Sequence, residues 1–273
     1  MLQKPTYDTD LRKNLILSEL TDLYTYRALI FHLIRRNVTS RYKRSVLGVA
    51  WTLLDPLITM VVMAIIFSTI YGRSMPAYPV FLLSALIIFN FIQQSSTGAI
   101  VDLLNGGWLL GKVYMPRTVF SITSTGANLV NFFYSLIPLV LLVLAYNIPM
   151  TPAILFIPIA MLNCILFTLG LGFLFSIFAI FFADMINIHS ILMRLLLYLS
   201  GTFYVAEDIP ERFRPLIELN PIYTLITLFR DPIYFGTLPD PWTIVYSTAW
   251  AVGLFILGLI VFLHFHDQIA YRI

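Results

Sequence analysis

Residues Gly106 to Lys112, GGWLLGK, have the spacing of a phosphate-cradling loop, in which glycine amides and a lysine hold a nucleotide. That chemistry also needs a hydroxyl after the lysine to reach Mg²⁺, and an acidic metal ligand at the end of a nearby strand. Val113 stands where the hydroxyl belongs, and no parallel-sheet pattern surrounds it. The match is a chance one, and any ATP this protein uses must be held by another chain. Catalytic chemistry finds no footing either. His32, His189, His264 and His266 are scattered, and the outer carboxylates Glu207, Asp208, Glu211 and Glu218 alternate with Arg212 and Arg214 as on a solvated face. The single Cys164 excludes an intrachain disulfide and a cysteine zinc site. No catalytic residue, metal ligand or cofactor is assigned to this chain.

Polar residues within apolar stretches are the next source of chemistry. Asn90, Gln93, Gln94, Ser95, Ser96 and Thr97 fall in one stretch, and Ser121, Thr123, Ser124, Thr125, Asn128 and Asn131 in the next. Such hydrogen-bonding capacity does not face lipid. Two readings stand: hydrogen bonding between helices, or a polar lining for a hydrophilic substrate. Asp55 and Asp184 lie near helix ends, within reach of water. Arg194 lies about two turns into its segment and has three outcomes open to it: an acidic partner, snorkelling, or an anionic group of a substrate. Aromatic residues make up 15% of the chain, and Tyr198, Phe203 and Tyr204 are lining candidates because sugar rings stack on such faces. Asn37-Val38-Thr39 is a formal glycosylation sequon on a side where it would not be used.

The elements that carry these residues follow from composition. Of 273 residues 59% are hydrophobic and only 11% charged, against roughly a quarter charged in soluble domains. An all-α integral membrane protein is expected, and nucleic acid is excluded as a partner. Six segments reach the roughly 20 residues a span requires: 49–71, 79–101, 118–146, 152–182, 187–205 and 241–265. Both termini then share a side. Arg73, Arg212, Arg214 and Arg230 fall on the other side and Arg194 within a span, while the remaining Lys and Arg fall on the side of the termini, which is therefore cytoplasmic. The first forty residues lack the apolar core of a cleavable signal peptide.

Three segments outside the spans have helical grammar. Residues 18–38 place Leu20, Leu23, Tyr24, Phe31, Ile34 and Val38 on one stripe, as in a helix lying in the interface. Arg35 and Arg36 lie away from the centre of that stripe, and together with Arg41, Lys43 and Arg44 they suit anionic headgroups or a partner protein. Residues 102–117 suit a short cytoplasmic helix, with Trp108 and Tyr114 serving equally well as interfacial anchors. In the third, 205–240, Asn220-Pro221 reads as an N-cap and first helical residue. Ile222, Leu225, Ile226 and Phe229 then share a face until Asp231-Pro232 stops the run. A shorter helix is expected from about Asp208-Ile209-Pro210, with Phe213, Leu216 and Ile217 on one side.

RYKRSVLGVAWTLLDPL at 41–57, LLGKVYMPR at 109–117, the Asp184 turn and IPERFRPLIELNPIYTLITLFRD at 209–231 together resemble the membrane subunits of type 2 ABC exporters. The likeness is to the branch that exports O-antigen, capsule or wall teichoic acid, and it covers nearly the whole chain. It implies one transmembrane domain over 1–273: an N-terminal arm and interfacial helix over 1–48, a six-span permease over 49–265, and a cytoplasmic tail over 266–273. The loop 102–117 would be the coupling helix that enters a separate ATPase, through Gly107, Trp108, Gly111, Lys112, Tyr114, Pro116 and Arg117. Two short re-entrant helices within 205–240 would form the outer gate, with Pro210, Asn220, Pro221 and Arg230. Spans one and five would line the path, with Trp51, Asp55, Arg194, Tyr198, Phe203 and Tyr204 as its candidates. The partners implied are a second copy in a homodimer, two copies of an ATPase that binds ATP and Mg²⁺, a lipid-linked glycan and membrane lipids, in the plasma membrane of a prokaryote. Two departures from the family pattern bear on the path: Ala183 precedes Asp184 where arginine is usual, and Gly201-Thr202 replaces a Ser-Pro pair. The alternatives are a type 2 permease for drugs or lipids and, remotely, an intramembrane glycan-modifying enzyme.

Overall fold

The computed structural model of the chain describes residues 15–42, 48, 50–71, 77–106 and 115–265. All regular structure among them is helical. Two N-terminal helices, α1 (Leu15–Thr25) and α2 (Arg27–Tyr42), lead to α3 (Ala50–Tyr71), α4 (Tyr78–Asn105) and α5 (Val119–Ala145). A 3-10 turn over Pro152–Phe156 opens α6 (Ile157–Phe181), and α7 (Met185–Leu199) follows after a tight turn. A further 3-10 turn, Ala206–Asp208, precedes α8 (Arg214–Glu218), α9 (Pro221–Arg230), a π turn over Asp231–Phe235 and the last helix, α10 (Pro241–His264).

Four of these units are long and apolar enough to cross a bilayer: Tyr78–Asn105, Val119–Ala145, Pro152–Phe181 and Pro241–His264. Leu54–Phe67 within α3, and α7, are shorter apolar stretches. The centre of the bundle is α4, whose apolar stretch is 78% buried, whereas that of α10 is 17% buried and lies at the periphery. α4 packs against α3, α5, α6 and α9, and α6 packs along α10. Close backbone approach explains the second contact. A Cβ on Gly170 would stand 2.6 Å from the Leu254 carbonyl, and one on Gly258 would stand 2.5 Å from the Gly170 oxygen.

Apolar packing is divided into two clusters. The larger gathers Phe81, Leu82, Ile88 and Phe91 of α4 with Phe132 of α5, Phe167 of α6 and the buried face of α9. The smaller gathers Leu103, Met115, Phe120, Phe173, Ile177 and Phe262. Between them, on the same helices, runs a belt of buried polar side chains: Ser95 and Ser96 of α4, Ser121, Ser124 and Asn128 of α5, Thr168 and Ser176 of α6, and His189 of α7.

Several elements differ from what the sequence predicts. The expected interfacial helix over 18–38 is two helices meeting at Tyr26, and its stripe does not share one environment: Tyr24 and Phe31 are exposed, whereas Leu23, Ile34 and Val38 are half-buried. α2 docks onto α5, with Ile34 closing over Gly126. The span expected over 187–205 is helical only to Leu199. A turn follows because Gly201 takes a left-handed φ of 59° and the freed carbonyls find side-chain donors, described below. The helix expected near Asp208 is a 3-10 turn and then five residues of α8, in which Ile217 is buried while Phe213 and Leu216 are exposed. α9 ends at Arg230, as the Asp231-Pro232 pair leads one to expect, but the chain stays helical for another turn. Lacking an N–H, Pro232 shifts the chain into a π turn that ends at Gly236, φ 67°.

Candidate functional site

The described part of the candidate site is the junction where α3, α7 and the α8–α9 unit meet. Its framework starts from the unpaired carbonyls at the end of α7, which any helix leaves behind. Asn220 Nδ2 donates to Leu199 O at 3.1 Å and to Ser200 Oγ at 2.9 Å. The same side chain accepts from Ile222 N at 3.0 Å, capping α9. One residue therefore ends α7 and begins α9. Arg230, at the far end of α9, donates through Nη1 to Gly201 O at 2.9 Å. Its guanidinium lies 4.0 Å over the Phe81 ring of α4 and is 2% exposed. Tyr78, also of α4, donates to Phe203 O at 2.8 Å, so three side chains from two helices hold residues 199–203 in place.

Aromatic rings fill the space around that turn. Phe203 stacks against Phe67 of α3 at 5.8 Å and lies 5.7 Å from Tyr198, while the Tyr204 hydroxyl donates to Tyr198 O. This places the outer part of α3 beside the end of α7. Of the path candidates, Trp51, Asp55, Arg194 and Tyr198 are exposed on the isolated subunit and Tyr204 is half-buried. Phe203 is buried inside the aromatic cluster instead of facing open space. Of the gate candidates, Asn220 and Arg230 are buried, Pro221 is half-buried and Pro210 is exposed.

Arg35 and Arg36 of the basic arm are exposed on α2, while the side chains of Arg41, Lys43 and Arg44 lie outside the described residues. So do Gly107, Trp108, Gly111, Lys112 and Tyr114 of the expected coupling loop. That loop's two described candidates are Pro116, buried, and Arg117, half-buried. Next to them, Thr118 Oγ1 donates to Glu19 Oε1 at 2.6 Å, joining α1 to the start of α5.

The polar residues of α4 and α5 hydrogen-bond between and along helices. Ser124 Oγ donates to Ser95 O at 3.0 Å, Asn128 Nδ2 to Ser124 O at 3.0 Å, and Asn131 Nδ2 to Asn128 Oδ1 at 3.1 Å. Sequence reasoning set His189 aside, yet it is fully buried, with Nε2 3.0 Å from Ser96 Oγ and Nδ1 3.4 Å from Thr97 Oγ1. The missed signal is that α4 carries two adjacent hydroxyls at the depth of this histidine. Tyr78 and Glu19 were missed because nothing local marks a partner 125 or 99 residues away. No group of His, Cys, Asp and Glu among the described residues is arranged to hold a metal ion.

Comparison with known proteins adds a family. The sequence model of the family described as ABC-2 type transporter matches residues 28–234. The O-antigen export system permease protein RfbA of Myxococcus xanthus is 30% identical over 221 residues, 80% of this chain and 85% of its own. RfbA of Klebsiella pneumoniae is 27% identical over 241 residues, 87% of this chain and 90% of its own. The polysialic acid transport protein KpsM of Escherichia coli is 25% identical over 82% of this chain and 88% of its own.

Proposed function

From the premise that the chain belongs to the ABC-2 type transporter family, we propose that it is the membrane-spanning permease subunit of an ATP-driven polysaccharide exporter. The substrate is a lipid-linked glycan of the O-antigen, capsule or teichoic acid kind, moved outward across the plasma membrane. ATP is hydrolysed on a separate cytoplasmic ATPase, and this chain is not the enzyme. The observation that carries the reading is that relatives named for O-antigen and polysialic acid export align with four fifths or more of the chain.

Six spans, with α3 and α7 as the two shorter ones, put both termini in the cytoplasm. Two copies face each other across α3 and α7 and bind two ATPase subunits. α3 exposes Ile58, Val62 and Ile65, and α7 exposes Ile191, Leu195 and Tyr198, an apolar surface that also carries Asp55 and Arg194. Closure of the ATPase pair pushes on the loop 102–117, and the joint of Asn220 and Arg230 moves the α8–α9 unit together with the end of α7. Aromatic faces there offer a sliding contact to sugar rings, while the exposed Arg194 meets an anionic part of the substrate.

The test is ATP hydrolysis by this chain co-expressed with its candidate ATPase in lipid nanodiscs, with and without lipid-linked glycan. Stimulation by glycan that disappears in the Lys112→Ala/Arg117→Ala double variant is the expected result. Absence of a complex and of stimulation refutes the reading, and stimulation by a small hydrophobic compound in place of glycan favours a drug or lipid exporter.

A further inference from the structure

The two short helices of the 205–240 segment differ in what they bury. Seven of the ten residues of α9 are buried, against Ile217 alone in α8. Phe213, Leu216 and Leu219 follow one another at three-residue spacing along α8 and its two caps, and all three are exposed. Glu211, Arg212 and Glu218 are exposed beside them, and the Arg212 guanidinium lies 4.5 Å over the Phe213 ring. An apolar stripe of this kind outside the spans marks a contact surface. It can meet water in a path, a second copy of the chain, or the membrane.

The neighbouring helix α10 decides between these. Tyr246 of α10 donates its hydroxyl to Leu219 O at 2.8 Å, so the end of the stripe lies against the first turns of α10. There the rings of Trp242, Tyr246 and Trp250 form a ladder, with centroids 6.5 and 6.3 Å apart. Trp242 and Trp250 are exposed and stand about 12 Å apart along the helix axis. Tryptophan and tyrosine concentrate where hydrocarbon gives way to headgroups. α10 is long and apolar enough to cross a bilayer, and with 17% of its apolar stretch buried it meets lipid over most of its surface. The hydroxyl of Tyr246 also gives the Leu219 carbonyl the donor it needs where water is scarce. The stripe of α8 therefore continues the lipid-facing side of α10 at the level of its aromatic ladder.

We propose that Phe213, Leu216 and Leu219 dock on the membrane surface, at the boundary of headgroups and acyl chains in the leaflet that holds the start of α10. α8 then rides on lipid while α9 stays within protein, and of the two helices expected to form a gate only α9 can serve as one, with α8 as its anchor to the leaflet. Glu211, Arg212 and Glu218 keep their hydration at headgroup level, whereas a subunit contact over the stripe would strip it from them. A water-filled path would leave three large apolar side chains wet. The lipid contact rests on α10 being a span; that the leaflet is the outer one rests on the orientation proposed above.

The full chain in phosphatidylcholine liposomes tests this without ATPase or glycan. In a Cys164→Ala background, a single cysteine at Leu216, Glu218 or Ile256 carries an environment-sensitive fluorophore. Quenching is read with phospholipids bearing a nitroxide high or low on the acyl chain, and with iodide in the water. The label at Leu216 is expected to be quenched several-fold more by the high nitroxide than by iodide, and the label at Glu218 the reverse. Ile256, deeper on α10, should respond to the low nitroxide instead. Leu216→Trp in the otherwise native chain, read with lipids brominated near the headgroup, repeats the test without a label and should show the same contact. Iodide quenching at Leu216 equal to that at Glu218 would place the stripe in water, and quenching by neither agent would place it against a second copy; either result overturns the proposal, as does a tryptophan at 216 that brominated lipid leaves unquenched.

Discussion

Arg230 and Asn220 concentrate the most consequence in single side chains. A buried guanidinium is costly unless its donors and its face are used, and here the face lies on Phe81 and Nη1 on Gly201 O. Lysine offers a point charge without the planar face, so Arg230→Lys is expected to destabilise almost as much as Arg230→Met. A double-mutant cycle of Arg230→Met with Phe81→Leu, followed by thermal unfolding in detergent, should show a coupling of about 1–2 kcal/mol. Additive effects would mean that the ring contact contributes nothing. Asn220→Ala removes a helix cap and both bonds to the end of α7 at once. The expected cost is about 2 kcal/mol, together with faster proteolysis between Ala206 and Leu219. Asn220→Asp keeps the cap acceptor but loses the two donated bonds, so the difference between these variants measures the tie to α7. The cap was legible in the Asn-Pro pair, but the tie to α7 was not, because its partners Leu199 O and Ser200 Oγ are 21 and 20 residues away in sequence.

At the scale of elements, sequence periodicity located the long helices well and the breaks poorly. The bounds expected for α4, α5, α6 and α10 fall within five residues of those observed, since long apolar runs with few interruptions have one helical solution. α7 was read too long because residues 200–205 stay apolar and aromatic while the backbone turns; the only local cue was Gly201. That glycine combines a φ of 59° with a Tyr223 ring 2.8 Å from where a Cβ would stand. Gly201→Ala should therefore cost more than the roughly 1–2 kcal/mol of a left-handed residue alone. The excess should shrink when Tyr223→Leu is added, measured as shifts in melting temperature. Tight helix crossings escape sequence reading in the same way. Gly170 and Gly258 sit 88 positions apart and permit backbone contact between α6 and α10, and Gly170→Leu is expected to lower stability by about 1–3 kcal/mol through overpacking. Gly253, with open space around the corresponding position, serves as the control: Gly253→Leu should leave the melting temperature within experimental error.

Across the whole molecule, burial separates two kinds of outward face. α10 and the outward side of α6 present Leu162, Val252, Ile256 and Ile260 without charged neighbours on those faces, as a surface against lipid tails would. α3 and α7 instead combine exposed aliphatic residues with Asp55, near the start of α3, and Arg194, about two turns into α7, and lipid tails would not tolerate the latter charge at depth. The outer part of α3 is tied to the end of α7 through Phe203, which stacks on Phe67 and lies 5.7 Å from Tyr198, so these two helix ends border one side of the subunit. That side is where a second copy is expected, with the charged residues turned to water between the copies. Composition announced the apolar surface but could not divide it, because both pairs of helices are rich in leucine and isoleucine. The one native cysteine, Cys164, is buried in α6, so Cys164→Ala provides a background for single-cysteine labelling. In membranes, cysteine placed at Leu195 or Ile65 should form disulfide-linked dimers on oxidation, whereas cysteine at Leu162 or Ile256 should not. Crosslinking at Leu162 and Ile256 with none at Leu195 or Ile65 would put the subunit contact on α6 and α10, and with it the path on the opposite side of the bundle.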